Sequence, residues 1–270
     1  LRQKLLKKAW KPSHGTRIYL PKPSGLQRPI MLLGIEDQIL LQAFANRVAD
    51  KVRKKRHKVE LICVFSNQAT PADSIFFTEQ WQRTFRKFQD KCKSLFTEGC
   101  RWAADFDMSA YYDTISHNVL RQIVSPRMSD TNTWSQVATW LQTWSAVNSD
   151  LMKGHGIPQG PIASDFLAEA FFLPIDLKML KRKIMYIRYV DDIRLFGKTE
   201  NEVRQAAIVL EQLCRERGLI PQSSKWGIRE LKTPEDALGA LPSIPPNDGR
   251  QPYDLGMPAD QARQILVSSL

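Results

Sequence analysis

The chain has 270 residues, a formal net charge of +11, a hydrophobic fraction of 43% and an aromatic fraction of 9%. These values are typical of a globular protein of one or two domains and exclude a disordered or fibrous chain. No apolar run reaches the ~18 residues of a membrane span, and the four cysteines lack the paired spacing of a zinc site or a disulfide framework. We therefore expect a protein of a reducing, cytoplasmic setting without a membrane partner.

The positive charge is concentrated at the N-terminus. The first sixty residues hold fifteen Lys and Arg against four Asp and Glu, which accounts for the whole excess. A basic segment that precedes an electrically balanced body favours a polyanionic partner, either nucleic acid or nucleotide phosphates. A solvated basic helix would give the same count, so charge alone leaves both interpretations open.

The N-terminal part is predicted to form a hairpin and then a basic helix. Residues 16–33 read as two strands joined by a turn at 21–25, and an amphipathic helix is predicted over 36–57. The expected apolar stripe of this helix consists of Ile39, Leu40, Ala43, Phe44, Val48 and Val52. Its basic last turns suit a helix C-terminus and equally suit a nucleic-acid backbone. The lysines that we expect to meet such a backbone are Lys51, Lys54 and Lys55.

The middle of the chain alternates helices with one strand. A helix is predicted over 73–92, with an aromatic stripe that we assign to the core: Phe77, Trp81, Phe85 and Phe88. A strand follows at 101–106. Further helices are predicted over 116–124, 132–147, 161–183 and 199–217. The last of them opens with the capping box Thr199–Glu202 and ends at Gly218.

Two adjacent acids, Asp191 and Asp192, stand at the tip of a predicted hairpin over 184–197. Adjacent carboxylates repel each other, so a shared cation would remove an electrostatic cost, although a solvated turn also accommodates such a pair. The predicted strand 101–106 leads into a further acid, Asp107. Acids on two strands favour a site for two divalent ions ~3.5–4 Å apart, as phosphoryl transfer requires. Hard oxygen ligands favour Mg²⁺.

Five segments, in one order along the chain, resemble the motifs of reverse transcriptases. Two of them resemble the metal-binding motifs of that family, namely Asp107–Asp113 and Tyr189–Asp192. Arg28–Ile30 resembles the motif whose arginine binds the triphosphate, and Gly156–Ser164 resembles the motif that contacts nucleotide and template. Gly218–Lys225 resembles the segment that carries a lysine near the pyrophosphate.

The resemblance implies an α+β, right-hand polymerase fold with fingers and a palm, in which the palm is an antiparallel sheet packed on helices and the thumb is reduced or absent. The expected parts are fingers over 1–100, the first part of the palm over 101–144, helices of fingers and palm over 145–180, the palm with the hairpin over 181–235, and a C-terminal thumb start or linker over 236–270. Because the sequence begins with Leu1 rather than Met, we expect it to be part of a longer protein.

The resemblance also implies roles for single residues. The groups expected to hold two Mg²⁺ ions are Asp107, Asp191, Asp192 and the carbonyl of Met108. The residues expected around the incoming dNTP are Arg28, Met108, Gln159 and Tyr112. Tyr112 would be a steric gate against a 2′-hydroxyl, with a core tyrosine of the palm as the alternative. Lys225 would protonate the leaving pyrophosphate, although an ordinary surface lysine is an equal alternative. Asp105 shares a face with Asp107, but only Asp107 keeps the spacing to Tyr112, so we expect Asp105 to pair with a basic residue.

Two further features bear on the branch of the family. Acids at Asp165 and Glu169, with Arg188 and Arg194 on either side of the acid pair, resemble the bacterial defence-associated and abortive-infection reverse transcriptases. We expect DNA synthesis from dNTPs on an RNA template, with an associated non-coding RNA, a further domain or an oligomer partner as additional partners. The alternatives are a protein-primed or untemplated DNA polymerase and, from another class, a non-catalytic RNA-binding scaffold.

Overall fold

The computed structural model describes residues 1–7, 9–21, 27–70, 77–124, 131–146, 154–222, 226–239 and 241. The helices in these ranges are α1 Arg2–Leu6, α2 Ile35–Arg56, α3 Trp81–Thr97, α4 Tyr111–Thr114, α5 His117–Val124, α6 Thr131–Ser145, α7 Ile162–Lys181 and α8 Glu200–Arg215. The strands are β1 Thr16–Pro21, β2 Gln27–Leu32, β3 Trp102–Phe106, β4 Tyr186–Tyr189, β5 Asp192–Gly197 and β6 Gly227–Glu230. A 3₁₀ turn, Glu235–Leu238, follows β6.

The strands form two antiparallel sheets. β1 and β2 make the predicted N-terminal hairpin, and the other four strands lie in the order β4-β5-β3-β6. In the larger sheet, Phe106 is opposite Ile193 and Tyr189 is opposite Asp192. The α+β class with an antiparallel sheet is thus confirmed. β6 was not predicted, because its four residues show no alternation and it forms only by pairing with β3.

Both faces of the four-stranded sheet are covered. Ala104, Phe106, Ile193 and Leu195 belong to the core shared with α7 and α8. The strand residues Ala103, Ile187 and Phe196 point to the opposite face. There they form a second cluster with Phe88 of α3 and Ala237 of the 3₁₀ turn. Successive side chains of a strand point to opposite faces, so β3, β4 and β5 each contribute to two cores.

Two details of the predicted helices are wrong. The buried stripe of α2 is shifted, so that Ile39 is 51% exposed and the inner positions are Leu41, Phe44, Ala45, Val48, Ala49 and Val52. The second predicted helix, 73–92, is not helical over 77–80, and α3 starts at Trp81; residues 73–76 of that prediction lie outside the described residues. Thr78 instead forms an isolated bridge with Ala69, and Glu79 N–H donates to the Gln68 carbonyl, so these residues are committed to extended backbone.

The remaining helices begin and end within a few residues of their predicted bounds, and the side chain of Thr199 caps α8 by accepting from Glu202 N–H. No helix in the described ranges is both long enough and apolar enough to cross a bilayer. The prediction of a reduced thumb falls on residues after 241, outside the described part of the chain.

Asp37 joins the N-terminal segment to α2 and α6. Its carboxylate accepts from Ser13 N–H at 3.2 Å, from the Ser13 hydroxyl, and from the Trp144 indole N–H at 2.7 Å. Trp144 is 1% exposed, so its N–H has no access to water. A buried donor must be paired, and Asp37 therefore fixes how three segments meet.

Replacing Asp37 with alanine is expected to lower the free energy of unfolding by about 2–4 kcal/mol, because the buried Trp144 N–H loses a charged acceptor. Asp50→Ala on the same helix is the control. Asp50 is 67% exposed and faces Arg53 at 3.6 Å, so its loss should change stability by less than about 0.5 kcal/mol. Urea unfolding followed by circular dichroism measures both values, and equal losses would contradict the role of Asp37.

Candidate active site

The acids of β3 and of the β4–β5 hairpin meet at one end of the sheet. Asp105 is opposite Arg194 and Phe106 is opposite Ile193, so one further step along the antiparallel ladder places Asp107 beside Asp192. Asp191 lies in the turn between β4 and β5. All three acids are partly buried. The structure thus brings together the three carboxylates that the sequence singled out.

The electrostatics of this end are those of crowded acids. Burial, together with the charges of Asp191, Asp105 and Asp107, raises the pKa of Asp192 to about 6, although Arg194 acts in the opposite direction. Each carboxylate therefore makes ionisation of Asp192 more costly. A bound cation would reverse that effect.

The donor set fits a hard divalent cation. Within the described ranges, no three His, Cys, Asp or Glu side chains are grouped tightly enough to hold a metal ion by themselves. Magnesium seldom uses such a cage, because it is bound through one or two carboxylates and completed by substrate phosphates and water. Carboxylates that converge on a partly exposed edge suit that mode of binding.

Asp105 has the pairing role expected for it. Its two oxygens form ion pairs with Arg194 at 2.9 Å and with Arg229 at 2.7 Å. Arg194 Nη1 also donates to the Ala237 carbonyl, which ties the 3₁₀ turn to the sheet. The prediction that Asp105 pairs with basic residues is confirmed, and Asp107 follows directly after the end of β3.

The segment after α8 holds the backbone around Asp107. Gln222 N–H donates to the Asp107 carbonyl and Ser109 N–H donates to the Ile220 carbonyl, both at 2.9 Å. Met108 is buried between them, and its N–H donates to Asp107 Oδ1 at 2.9 Å. Two segments that resemble motifs therefore lie together. Lys225, which ends the second of them, falls outside the described residues.

The loop 156–160 connects the acids to the N-terminal hairpin. Ile157 N–H donates to the Tyr112 carbonyl at 3.0 Å, and Met31 N–H on β2 donates to the Gln159 carbonyl at 2.7 Å. Gly160 has φ +127°, and a Cβ there would lie 3.0 Å from the Ile30 side chain, so the loop requires glycine at this position. Gln159 is consequently held against β2, the strand that carries Arg28.

Tyr112, five residues after Asp107, contacts α7. Its hydroxyl donates to Asp165 Oδ1 at 2.6 Å. Burial, then Asp165 and Asp191, raises the pKa of Tyr112 well above the usual range, so the phenol stays protonated and acts as a donor. Burial also raises the pKa of Asp165 to about 7 against the effect of the Tyr112 hydrogen bond, with Glu169 and Asp191 adding to the rise. Asp165 is a site residue whose role the sequence did not reveal.

The predicted basic contacts lie at the surface. Arg28 is exposed on β2, and Lys54 and Lys55 are exposed on the last turns of α2, with Lys51 partly buried. Their roles in binding phosphates stay predictions.

A buried ion cluster lies behind the hairpin turn. Arg188 on β4 binds Asp176 through Nε at 3.0 Å and Nη2 at 2.7 Å, and Nη2 also binds Glu169 at 2.7 Å. Arg56, at the end of α2, binds Glu169 at 3.2 Å. Burial opposes ionisation of Glu169, but the two guanidinium groups outweigh it and hold the pKa of Glu169 below its usual value.

Sequence analysis singled out Arg188 and Glu169 but missed Arg56 and Ser66, which complete this cluster. The only signal for Arg56 was its place in a basic run, which suggested a solvated helix end, and nothing in the local pattern marks Ser66.

Comparison with known proteins indicates the same family as the motifs. The model of the family described as reverse transcriptase (RNA-dependent DNA polymerase) matches residues 20–240. Protein YkfC of Escherichia coli (strain K12) is 26% identical over 186 residues, which cover 67% of this chain and 45% of that protein.

Solved telomerases are similar in fold. Apo telomerase from Candida tropicalis, truncated from the C-terminal domain, aligns with a TM-score of 0.55 and 13% identity over 83% of this chain and 51% of its own. Telomerase from Candida albicans, in a complex with the TWJ fragment of telomeric RNA, aligns with a TM-score of 0.54 and 13% identity over 84% of this chain and 44% of its own. The predicted polymerase fold is thereby confirmed, and the chain spans about half the length of the relatives that it matches.

The Asp165 carboxyl is expected to titrate near neutral pH, and Tyr112→Phe should raise its pKa further by removing a donor to the carboxylate. Because the pKa is higher in the folded chain than in the unfolded chain, the folded state binds the extra proton. The stabilising contribution of this group is therefore complete below about pH 4 and is lost as the pH rises to about 7.

A ¹³C NMR titration of the aspartate carboxyl groups measures this pKa. Tyr19→Phe, at an exposed tyrosine of β1, serves as the control. An ordinary pKa for Asp165, or one that Tyr112→Phe leaves in place, would contradict the expected coupling.

Proposed function

We propose that this chain, which belongs to the reverse transcriptase family, extends a DNA 3′ end with dNTPs on an RNA template. The observation that carries the proposal is the meeting of Asp107, Asp191 and Asp192 at the end of two neighbouring strands. Family membership supports RNA-directed DNA polymerisation as the reaction. The relatives are longer than this chain, so the activity of the whole protein is part of the proposal.

The carboxylates would hold the divalent ions of the reaction. Two Mg²⁺ ions, when bound, would lower the pKa of the primer 3′-hydroxyl and neutralise the departing pyrophosphate. Asp107 and Asp191 are proposed as the principal ligands, with Asp192 and the Met108 carbonyl beside them. Because burial and neighbouring charges oppose ionisation of Asp192, the same site binds cations most strongly at a pH where that carboxyl has lost its proton.

Other residues would orient the substrates. Arg28, three residues from Met31 along β2, would bind the triphosphate, and Gln159 would meet the nucleotide from the loop that is bonded to Met31. The lysines at the end of α2 would meet the backbone of the nucleic acid. Lys225 is proposed as the proton donor to pyrophosphate on the motif alone.

Two other functions compete with this one. A protein-primed or untemplated polymerase would use the same acids but would not need RNA. A non-catalytic RNA-binding scaffold would have no use for carboxylates that raise the pKa of Asp192. Sequencing of products made from labelled dNTPs, with and without co-purified RNA, separates the three, because templated copies, low-complexity DNA and no product are distinct results.

The biological setting is also part of the proposal. The acids at Asp165 and Glu169 and the flanking arginines favour the branch that acts in bacterial anti-phage defence, in the cytoplasm. An RNA partner is supported by the Candida albicans telomerase, which was solved with a fragment of telomeric RNA. An associated non-coding RNA and a further domain or oligomer partner belong to the same proposal.

Asp107→Ala and Asp191→Ala are each expected to abolish nucleotide incorporation while leaving the fold intact, because each removes a proposed ligand from a crowded acid cluster. Loss of Asp191 should also lower the pKa of Asp192 by relieving repulsion. Primer extension measures nucleotide incorporation, and thermal unfolding checks that the fold is intact. Asp90→Ala, at an exposed acid of α3, is the matched control. Full incorporation by either purified site variant would refute the polymerase assignment.

Tyr112→Ala is expected to raise the use of ribonucleotides relative to deoxynucleotides by at least about ten-fold, about 1.4 kcal/mol of differential transition-state binding. A ring below the sugar excludes a 2′-hydroxyl by a steric clash. Removal of the ring should therefore increase incorporation of ribonucleotides more than that of deoxynucleotides. Tyr112→Phe keeps the ring and should keep the discrimination.

Matched dNTP and rNTP incorporation at one Mg²⁺ concentration measures the ratio for all three proteins. A wild type that prefers ribonucleotides would make the product assignment wrong. Equal discrimination by wild type and Tyr112→Ala would place the gate elsewhere.

A further inference from the structure

The turn that presents the acids contains a backbone conformation that needs support. Val190, between Tyr189 and Asp191, has φ +56°. A β-branched residue seldom adopts this left-handed region, because its Cβ crowds the neighbouring carbonyl oxygen. Such a residue persists only where the surroundings determine its conformation.

Two hydrogen bonds hold Val190 from both sides. Its N–H donates to Ser66 Oγ at 2.8 Å, and its carbonyl accepts from Arg188 Nη1 at 2.8 Å. Ser66 comes from the segment between α2 and α3, 124 positions away in sequence. The turn is therefore fixed by a distant part of the chain as well as by its own hairpin.

The two contacts are closed into a ring by Glu169. The Ser66 hydroxyl donates to Glu169 Oε1 at 2.5 Å, and Arg188 Nη2 donates to Glu169 Oε2 at 2.7 Å. A serine hydroxyl has one proton, so a hydroxyl that donates to Glu169 is oriented to accept from Val190. Ser66, Glu169 and Arg188 are each 1% exposed or less, so water does not replace these bonds.

Ser66 is itself fixed in place. Arg56 Nη2 donates to the Ser66 carbonyl at 2.7 Å. The residues just before Ser66 pair with β4, where Arg188 N–H donates to the Cys63 carbonyl at 2.7 Å and Phe65 N–H donates to the Arg188 carbonyl at 3.1 Å. The hydroxyl is thus presented to Val190 by a rigid support.

We propose that Ser66 and Arg188 are positioning residues for the acid-bearing turn: by clamping the two sides of Val190, they set the direction in which Asp191 and Asp192 face Asp107. The inference rests on the proposed function and deepens it, because it names residues outside the recognised motifs that decide whether the acids can share a cation. Ser66 acts through the Val190 peptide, and its bond to Glu169 orients the hydroxyl for that contact.

Ser66→Ala is the discriminating variant, since it removes only the hydroxyl. Exchange of the Val190 amide hydrogen should become at least about ten-fold faster, because its acceptor is gone. The kcat for dNTP incorporation should fall at least about ten-fold and the Mg²⁺ concentration for half-maximal rate should rise several-fold, while KM for dNTP stays within about two-fold. Ser66→Cys, which retains a weak acceptor, should have an intermediate effect.

Ser145→Ala is the matched control, because Ser145 is buried and its hydroxyl has no hydrogen-bond partner among the described residues. It should leave exchange at Val190, kcat and the Mg²⁺ requirement unchanged. If Ser145→Ala lowers kcat as much as Ser66→Ala, or if exchange at Val190 is the same in Ser66→Ala and wild type, the positioning role is overturned.

Calorimetric titration with Mn²⁺ separates this inference from the proposed function. If Asp191→Ala binds Mn²⁺ and incorporates dNTP like wild type, the proposed function fails. If Asp191→Ala is inactive while Ser66→Ala matches wild type in Mn²⁺ affinity, kcat and Mg²⁺ requirement, the polymerase assignment stands and the positioning role is refuted. Weakened Mn²⁺ binding in both variants, with exchange at Val190 accelerated in Ser66→Ala, supports both.

Discussion

The burial of charge behind the hairpin turn is the constraint on which the arrangement of the site depends. Arg188 is 0% exposed, and an ion removed from water costs several kcal/mol unless it is paired. Its guanidinium is satisfied by Asp176, Glu169 and the Val190 carbonyl, and it lies 4.6 Å from the centre of the Phe172 ring. These partners come from α7 and from the turn itself. α7 and β4 can therefore pack in only one register, because a shift of either element would leave a buried charge without its partner.

The same pairing separates the acids into two groups. Behind the sheet, Glu169 and Asp176 form ion pairs with arginines of the chain. Burial opposes ionisation of both; the arginines outweigh it at Glu169, whose pKa is lowered, but not at Asp176, whose pKa is raised. At the front, Arg194 forms its ion pair with Asp105, and its effect on Asp192 is outweighed by burial and the neighbouring acids. A bound divalent cation would favour the ionised form of Asp192, which burial and the neighbouring acids oppose.

The sequence predicted the features that have a local signal. Alternation marked β3 and the β4–β5 hairpin, and a capping box marked the start of α8. The start of α3 was placed too early because the bridge between Thr78 and Ala69 depends on tertiary packing, which overrides an aromatic stripe at helical spacing. Ser66 could not be found for the same reason, since its partners Val190 and Glu169 are more than a hundred residues away.

Part of the ion cluster was nevertheless within reach of the sequence. A charged residue inside an apolar stretch must find a partner, and Glu169 and Asp176 are two turns apart on the same face of α7. Two arginines flank the acid pair, and period-2 alternation decides between them. Arg188 points to the same side as Tyr186, whose hydroxyl donates to Asp176, whereas Arg194 shares the opposite face with Phe196. Alternation therefore places Arg188 and Arg194 on opposite faces of the sheet. It identifies neither Arg56 nor the segment that carries Ser66 and closes the ring around Val190.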